Sequence, residues 1–124
     1  MNTTSGFDGL HLMANLHGCA GAESLLHEVA ALRAKCLALV AEAGLVAVGE
    51  CFHQFGEGGG VTGVVVLAES HLSIHTWPEK RFVTLDVFVC NMNCDNRAKA
   101  RQLFAALVAL FQSMDERFYE VERG

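Results

Sequence analysis

The chain has 124 residues, 52% hydrophobic and 19% charged, with a single Pro; that is one domain with one core, and it excludes a disordered or fibrous protein. A formal net charge of −5, with nine Lys and Arg scattered along the chain, argues against nucleic acid as a partner. Five cysteines with no secretory leader pattern point to a reducing cytoplasm, and no apolar run approaches the roughly 20 residues of a spanning helix, so no membrane is expected.

After a polar start (Met1 to Phe7), Leu10 to Leu16 alternates loosely and predicts a short strand. From Ala22 to Ala43, Leu25, Leu26, Val29, Leu32, Cys36, Leu39 and Val40 recur at three- and four-residue steps, predicting one amphipathic helix that Gly44 ends. Leu45 to Phe52 predicts a strand, and the Gly56 to Gly60 cluster makes the turn of a hairpin. Val61 to Ala68, Leu72 to Thr76 and Phe82 to Cys90 predict three more strands, the last with Val83, Leu85, Val87 and Val89 on one face. Asp95 is placed to cap a helix over Arg97 to Gln112, and Phe118 to Val121 predicts a final strand. Strands clustered between two long helices, with short connections, predict an α+β fold: one domain over residues 1–124, an antiparallel sheet with both helices on one face.

Polar groups inside apolar strands are the chemical signal, because burying them unpaired costs several kcal/mol. They concentrate between Thr62 and Cys90. Period two puts His71, Ser73 and His75 on one side of their strand, and Asp86, Phe88 and Cys90 on one side of theirs. His71, His75, Cys90 and Cys94 form an acceptable zinc set by residue type, but the usual Cys-x-x-Cys pair is missing and no metal is expected. A Cys90–histidine nucleophile pair is equally available by chance in a chain with five cysteines and six histidines. The glycine loop lacks the Lys-Ser/Thr ending of a phosphate loop and precedes a strand. Cys19, Cys36 and Cys51 read as core or helix-face residues.

The stretch Gly63-Val-Val-Val-Leu-Ala-Glu-Ser-His-Leu-Ser-Ile-His-Thr-Trp-Pro-Glu79, followed by Leu85-Asp-Val-Phe-Val-Cys90, resembles the prokaryotic S-adenosylmethionine decarboxylase proenzyme family. The likeness extends through Phe52-His-Gln-Phe55 and Val61-Thr-Gly63, and more loosely over most of the chain. It implies that Ser70 attacks the carbonyl of Glu69, turning the amide into an ester. Loss of the α-proton of residue 70 expels the ester by β-elimination, and the resulting dehydroalanine hydrolyses to a pyruvoyl group. Cleavage between 69 and 70 would give a β chain (1–69) and an α chain (70–124). The pyruvoyl group is the expected cofactor, forming a Schiff base with the amine of S-adenosylmethionine and accepting electrons as carbon dioxide leaves.

By the same resemblance, His75 is the processing base and Thr62 polarises the attacked carbonyl; imidazole suits the task because it titrates near neutrality. Cys90 matches the proton donor, a role suited to a thiol because free thiols stay mostly protonated at neutral pH. Phe55 and Glu79 match the residues that stack on adenine and bind the ribose hydroxyls. Thr62, His75, Phe55 and Glu79 match residues that face the pyruvoyl and cysteine of a second subunit in the family, so a homodimer with shared sites is expected, and decarboxylated S-adenosylmethionine would supply spermidine biosynthesis. His71, Ser73 and Asp86 also match the motif but serve equally as strand anchors.

Two departures bear on substrate choice. Gly56-Glu57-Gly58-Gly59-Gly60 stands where a Pro-containing turn is usual, predicting a more mobile loop beside Phe55, and Lys80-Arg81-Phe82 replaces small residues. Pyruvoyl-dependent arginine or ornithine decarboxylation is therefore the alternative, and an unprocessed binding or regulatory homologue is the third reading.

Overall fold

The structure, a computed structural model, describes residues 8–91 and 94–124; the polar start Met1 to Phe7 lies outside them. Six strands form one sheet: β1 (Gly9–His17), β2 (Ala47–Gln54), β3 (Val61–Leu67), β4 (Ser70–Trp77), β5 (Phe82–Cys90) and β6 (Asp115–Arg123). Every neighbouring pair is antiparallel, in the order β2-β3-β4-β5-β1-β6. Three α-helices, α1 (Ser24–His27), α2 (Val29–Glu42) and α3 (Arg97–Phe111), and a single 3-10 turn (Pro78–Lys80) complete the elements among the described residues.

Strict alternation makes the sheet two-faced. Leu10, Leu12 and Leu16 of β1, Leu72 and Ile74 of β4, and Val83, Leu85, Val87 and Val89 of β5 are buried against Leu32, Cys36 and Val40 of α2 and Leu103, Leu107 and Phe111 of α3. Each such aliphatic side chain contributes about 1.5–3 kcal/mol by leaving water. The intervening residues, among them His11, His71, Ser73, His75, Asp86 and Phe88, are half-buried on the opposite face, which none of the described helices covers. The two polar sets seen on β4 and β5 are cross-strand neighbours on that single open face: His71 pairs with Phe88 and Ser73 with Asp86.

The helix expected over Ala22 to Ala43 is broken. Glu28 is extended (φ −121°, ψ 108°) and separates α1 from α2. The two groups that a continuous helix would bond internally have found tertiary partners. The Leu26 carbonyl accepts the Thr76 hydroxyl at 2.7 Å, and the Val29 N–H donates to Gln54 Oε1 at 2.9 Å. Apolar periodicity is blind to such an exchange. The second strand also starts later than expected, with Val46 and Val48 exposed beside a bulge between Ala47 and Gly49. The last strand is longer than its apolar centre, running from Asp115 to Arg123 and paired with β1 throughout. Asp95 does receive the Arg97 N–H at 3.0 Å, one residue before the N-cap position, Asn96.

Candidate active site

Ser70 opens β4 directly after a two-residue turn, Ala68-Glu69, that joins the paired residues Leu67 and Ser70. Glu69 sits at φ 57°, a left-handed conformation that costs a side-chain-bearing residue roughly 1–2 kcal/mol. Ser70 is only 8% exposed, and its Oγ accepts the backbone N–H of Cys90 at 3.1 Å. Cys90, the last residue of β5, is half-buried with its side chain on the open face.

A second group forms at the other end of the same strands. Thr62 and His75 are cross-strand partners, with Thr62 Oγ1 3.1 Å from His75 Nδ1. They line a cavity of about 300 Å³ together with Phe55, Gly60, Thr76, Trp77 and Glu79. The glycine loop forms its rim and is closed by hydrogen bonds: Phe55 N–H donates to the Gly60 carbonyl at 2.8 Å, and Gln54 Nε2 to the Gly59 carbonyl at 2.7 Å. A side chain at residue 60 would bring its Cβ to 2.2 Å from the Thr76 carbonyl oxygen, so only glycine lets the loop lie on β4. Phe55 projects its ring outward, 56% exposed, with His53 edge-on at 4.6 Å.

All seven residues singled out in the sequence are thus placed, in two groups: Glu69, Ser70 and Cys90 together, and Phe55, Thr62, His75 and Glu79 around the cavity. Within one chain the groups do not meet. Ser70 and His75 are five positions apart on β4, roughly 17 Å at the rise of a strand, and the odd spacing puts them on opposite faces.

The zinc set weighed from the sequence is dispersed, with His75 engaged by Thr62 and Cys94 exposed beside Asn96. Among the described residues, the one group of potential metal ligands is His11, His71 and Asp86, on the middle of the open face. His11 Nε2 lies 3.0 Å from Asp86 Oδ2, while the Ser73 hydroxyl donates to the other oxygen of Asp86. Sequence reasoning missed His11; the available signal was a titratable residue in the alternating pattern of β1.

The remaining thiols differ from one another. Cys36 is fully buried, which pushes its thiol up to about 12, and burial also raises Cys19, partly offset by the nearby Arg81 guanidinium. Cys51, expected in the core or on a helix face, is exposed on the open face instead, because it is the cross-strand partner of Val64.

The S-adenosylmethionine decarboxylase family model matches residues 10–124. The S-adenosylmethionine decarboxylase proenzyme of Archaeoglobus fulgidus is 37% identical over 116 residues, covering 94% of this chain and 97% of that protein. The proenzyme of Moorella thermoacetica is 35% identical over 116 residues, covering 94% and 87%. The crystal structure of adenosylmethionine decarboxylase from Aquifex aeolicus VF5 superposes with a TM-score of 0.82 at 31% identity, over 95% of this chain and 92% of that one. Sequence over nearly the whole length and topology together give one answer: the chain belongs to the prokaryotic class of the S-adenosylmethionine decarboxylase family, whose members are made as proenzymes and depend on a pyruvoyl group.

Proposed function

We infer that this protein cleaves itself between Glu69 and Ser70 and, as a homodimer with composite sites, decarboxylates S-adenosylmethionine to the aminopropyl donor for spermidine synthesis. The observation that carries this reading is the division of the motif into two halves about 17 Å apart on one chain. One half holds a hydroxyl, the other an imidazole beside a ligand-sized cavity. A second copy packed two-fold against the open sheet face would bring Cys90 and the Glu69–Ser70 turn, at one end of β4 and β5, opposite the cavity at the other end of the partner's strands, even though the Ser70 side chain itself points to the helix side. Half-buried Trp77, Phe82 and Phe88 give that face the aromatic surface such an interface uses.

The residues present fit a pyruvoyl group at position 70. The hydroxyl that must attack is held at the strand start by the Cys90 amide, and the bond to be broken lies in a turn whose preceding residue is in a high-energy conformation. Attack of Ser70 Oγ on the Glu69 carbonyl carbon exchanges the amide for an ester, and removal of the residue-70 α-proton lets the Glu69 carboxylate leave. His75 of the second subunit is the base for that proton, its Nδ1 side fixed by Thr62. The pyruvoyl group, once formed, supplies the electron sink for loss of carbon dioxide. The chain's own residues do the rest. Phe55 presents a flat apolar surface to the adenine, Glu79 accepts the ribose hydroxyls, and the Cys90 thiol returns a proton to the substrate Cα.

Intact mass and carbon dioxide release test the reading together. Two fragments, 1–69 and a blocked 70–124, with gas evolved from labelled S-adenosylmethionine, are expected. Gas from arginine or ornithine instead would assign the substrate to the alternative favoured by the glycine loop, and an uncleaved, inactive chain would leave only a binding role.

A further inference from the structure

We propose that His11, His71 and Asp86 form a zinc-binding site on the open face of the sheet, separate from both halves of the decarboxylase site. The three side chains come from three adjacent strands, β1, β4 and β5. His11 and His71 flank Phe88 in a single cross-strand row, yet their ring centroids are 6.2 Å apart because both lean over the sheet toward each other. The Phe88 ring closes one side, 5.9 Å from His11 and 5.7 Å from His71, and Asp86 closes the other.

The donor atoms, one from each residue, all lie within 4.8 Å of one another, and one pair, His11 Nε2 and Asp86 Oδ2, is already 3.0 Å apart. Zinc bonds of about 2.0–2.2 Å to nitrogen and oxygen place tetrahedral donors roughly 3.3 Å apart, so small side-chain rotations close the site. The carboxylate is already oriented, because the Ser73 hydroxyl holds its far oxygen and leaves the near one for an ion, the kind of outer partner that metal-binding carboxylates have. Two imidazoles with one carboxylate suit zinc and other first-row ions and disfavour magnesium and calcium, which take oxygen ligands. Side-chain exposures of 18% for His11 and 29% for Asp86 leave a fourth position open to water or to a group on a docked second copy.

The test is calorimetric titration of chelator-stripped protein with zinc alone, in the presence of excess magnesium. One ion per chain is expected. His71→Ala and Asp86→Asn should each weaken binding by more than the roughly 10–100-fold that loss of an outer partner costs, and Ser73→Ala should fall within that range. His17→Ala, on the same face but stacked on Phe82 outside the cluster, should bind as the parent does. Visible absorption of the unsubstituted protein loaded with cobalt, and its loss on adding zinc, gives a reading that needs no substitution and so does not depend on any variant folding. Absence of saturable zinc binding would overturn the proposal. So would binding that survives both His71→Ala and Asp86→Asn, or binding abolished by alkylating the exposed thiols Cys51 and Cys94.

Discussion

Ser70 Oγ accepts the backbone N–H of Cys90 at 3.1 Å, which ties the proposed cleavage residue to the main chain of the proposed proton donor and leaves the Cys90 thiol out of that bond. The two roles are therefore separable by substitution. Ser70→Ala is expected to remain a single chain of full mass, inactive, and less stable by about 1 kcal/mol because the Cys90 N–H loses its acceptor. Cys90→Ala keeps that amide and is expected to cleave normally but turn over poorly. Mass spectrometry and steady-state rates check both; two fragments from Ser70→Ala, or an unchanged rate from Cys90→Ala, contradict the assignment.

Separation of Ser70 from His75 by five strand positions predicts complementation. His75→Ala alone should stay uncleaved, as should Ser70→Ala. Mixed and refolded together, they form dimers in which an intact Ser70 faces an intact His75, and the His75→Ala chain is then cut. Failure of the mixture to cleave, with mixed dimers demonstrated, would mean that the base acts within one chain or is another residue.

Phe55 and Glu79 line the cavity without touching Ser70 or Cys90. Aromatic stacking on a base is worth about 1–3 kcal/mol, so Phe55→Ala should raise KM for S-adenosylmethionine roughly 5- to 150-fold while leaving cleavage complete. Glu79→Gln should act in the same direction. If either variant accumulates uncleaved chain, its role lies in processing.

Thr76 is buried, and its hydroxyl both accepts the Val61 N–H at 2.9 Å and donates to the Leu26 carbonyl at 2.7 Å. Thr76→Val conserves shape and strands both partners. The expected loss is about 1–3 kcal/mol, read from denaturant unfolding, with faster hydrogen exchange at the α1–α2 junction.

The thiols give a pH-dependent prediction. Cys36, with its pKa pushed up to about 12 by burial, stays protonated in the folded protein where the unfolded chain, near 9.0, has ionised. The folded form then binds the extra proton, so this contribution to stability is full below about pH 9 and is lost as pH rises toward about 12. Cys36→Ala should flatten the alkaline decline in unfolding free energy. At pH 8, Cys51 and Cys94 should react quickly with a thiol reagent, and Cys36 and Cys19 only on unfolding.

Alternation made β5 readable to its last residue, since Phe82 to Cys90 is both the expected and the observed strand. The α+β class followed from spacing, and the motif residues from local resemblance. What lay hidden was decided by distant partners. The break at Glu28 depends on Thr76 and Gln54, and the exposure of Cys51 on its register with Val64. His11 could not be joined to Asp86 from sequence because the contact spans 75 positions. Likewise, the alternation of β4 sets Ser70 and His75 on opposite faces, but nothing along the strand joins them in one site, as the proposed pairing of two chains would.

The place of β1 between β5 and β6 has a consequence for the proposed maturation. Residues 1–69 contribute β1, β2 and β3, and residues 70–124 contribute β4, β5 and β6, so a scission at the turn leaves the two pieces laced through each other. Freeing the first piece would mean unzipping β1 from both neighbours along its whole length and parting β3 from β4. Loss of that one peptide bond, as proposed, would therefore change the chemistry at residue 70 without loosening the body that holds it, and would let the Glu69 backbone relax from its left-handed twist.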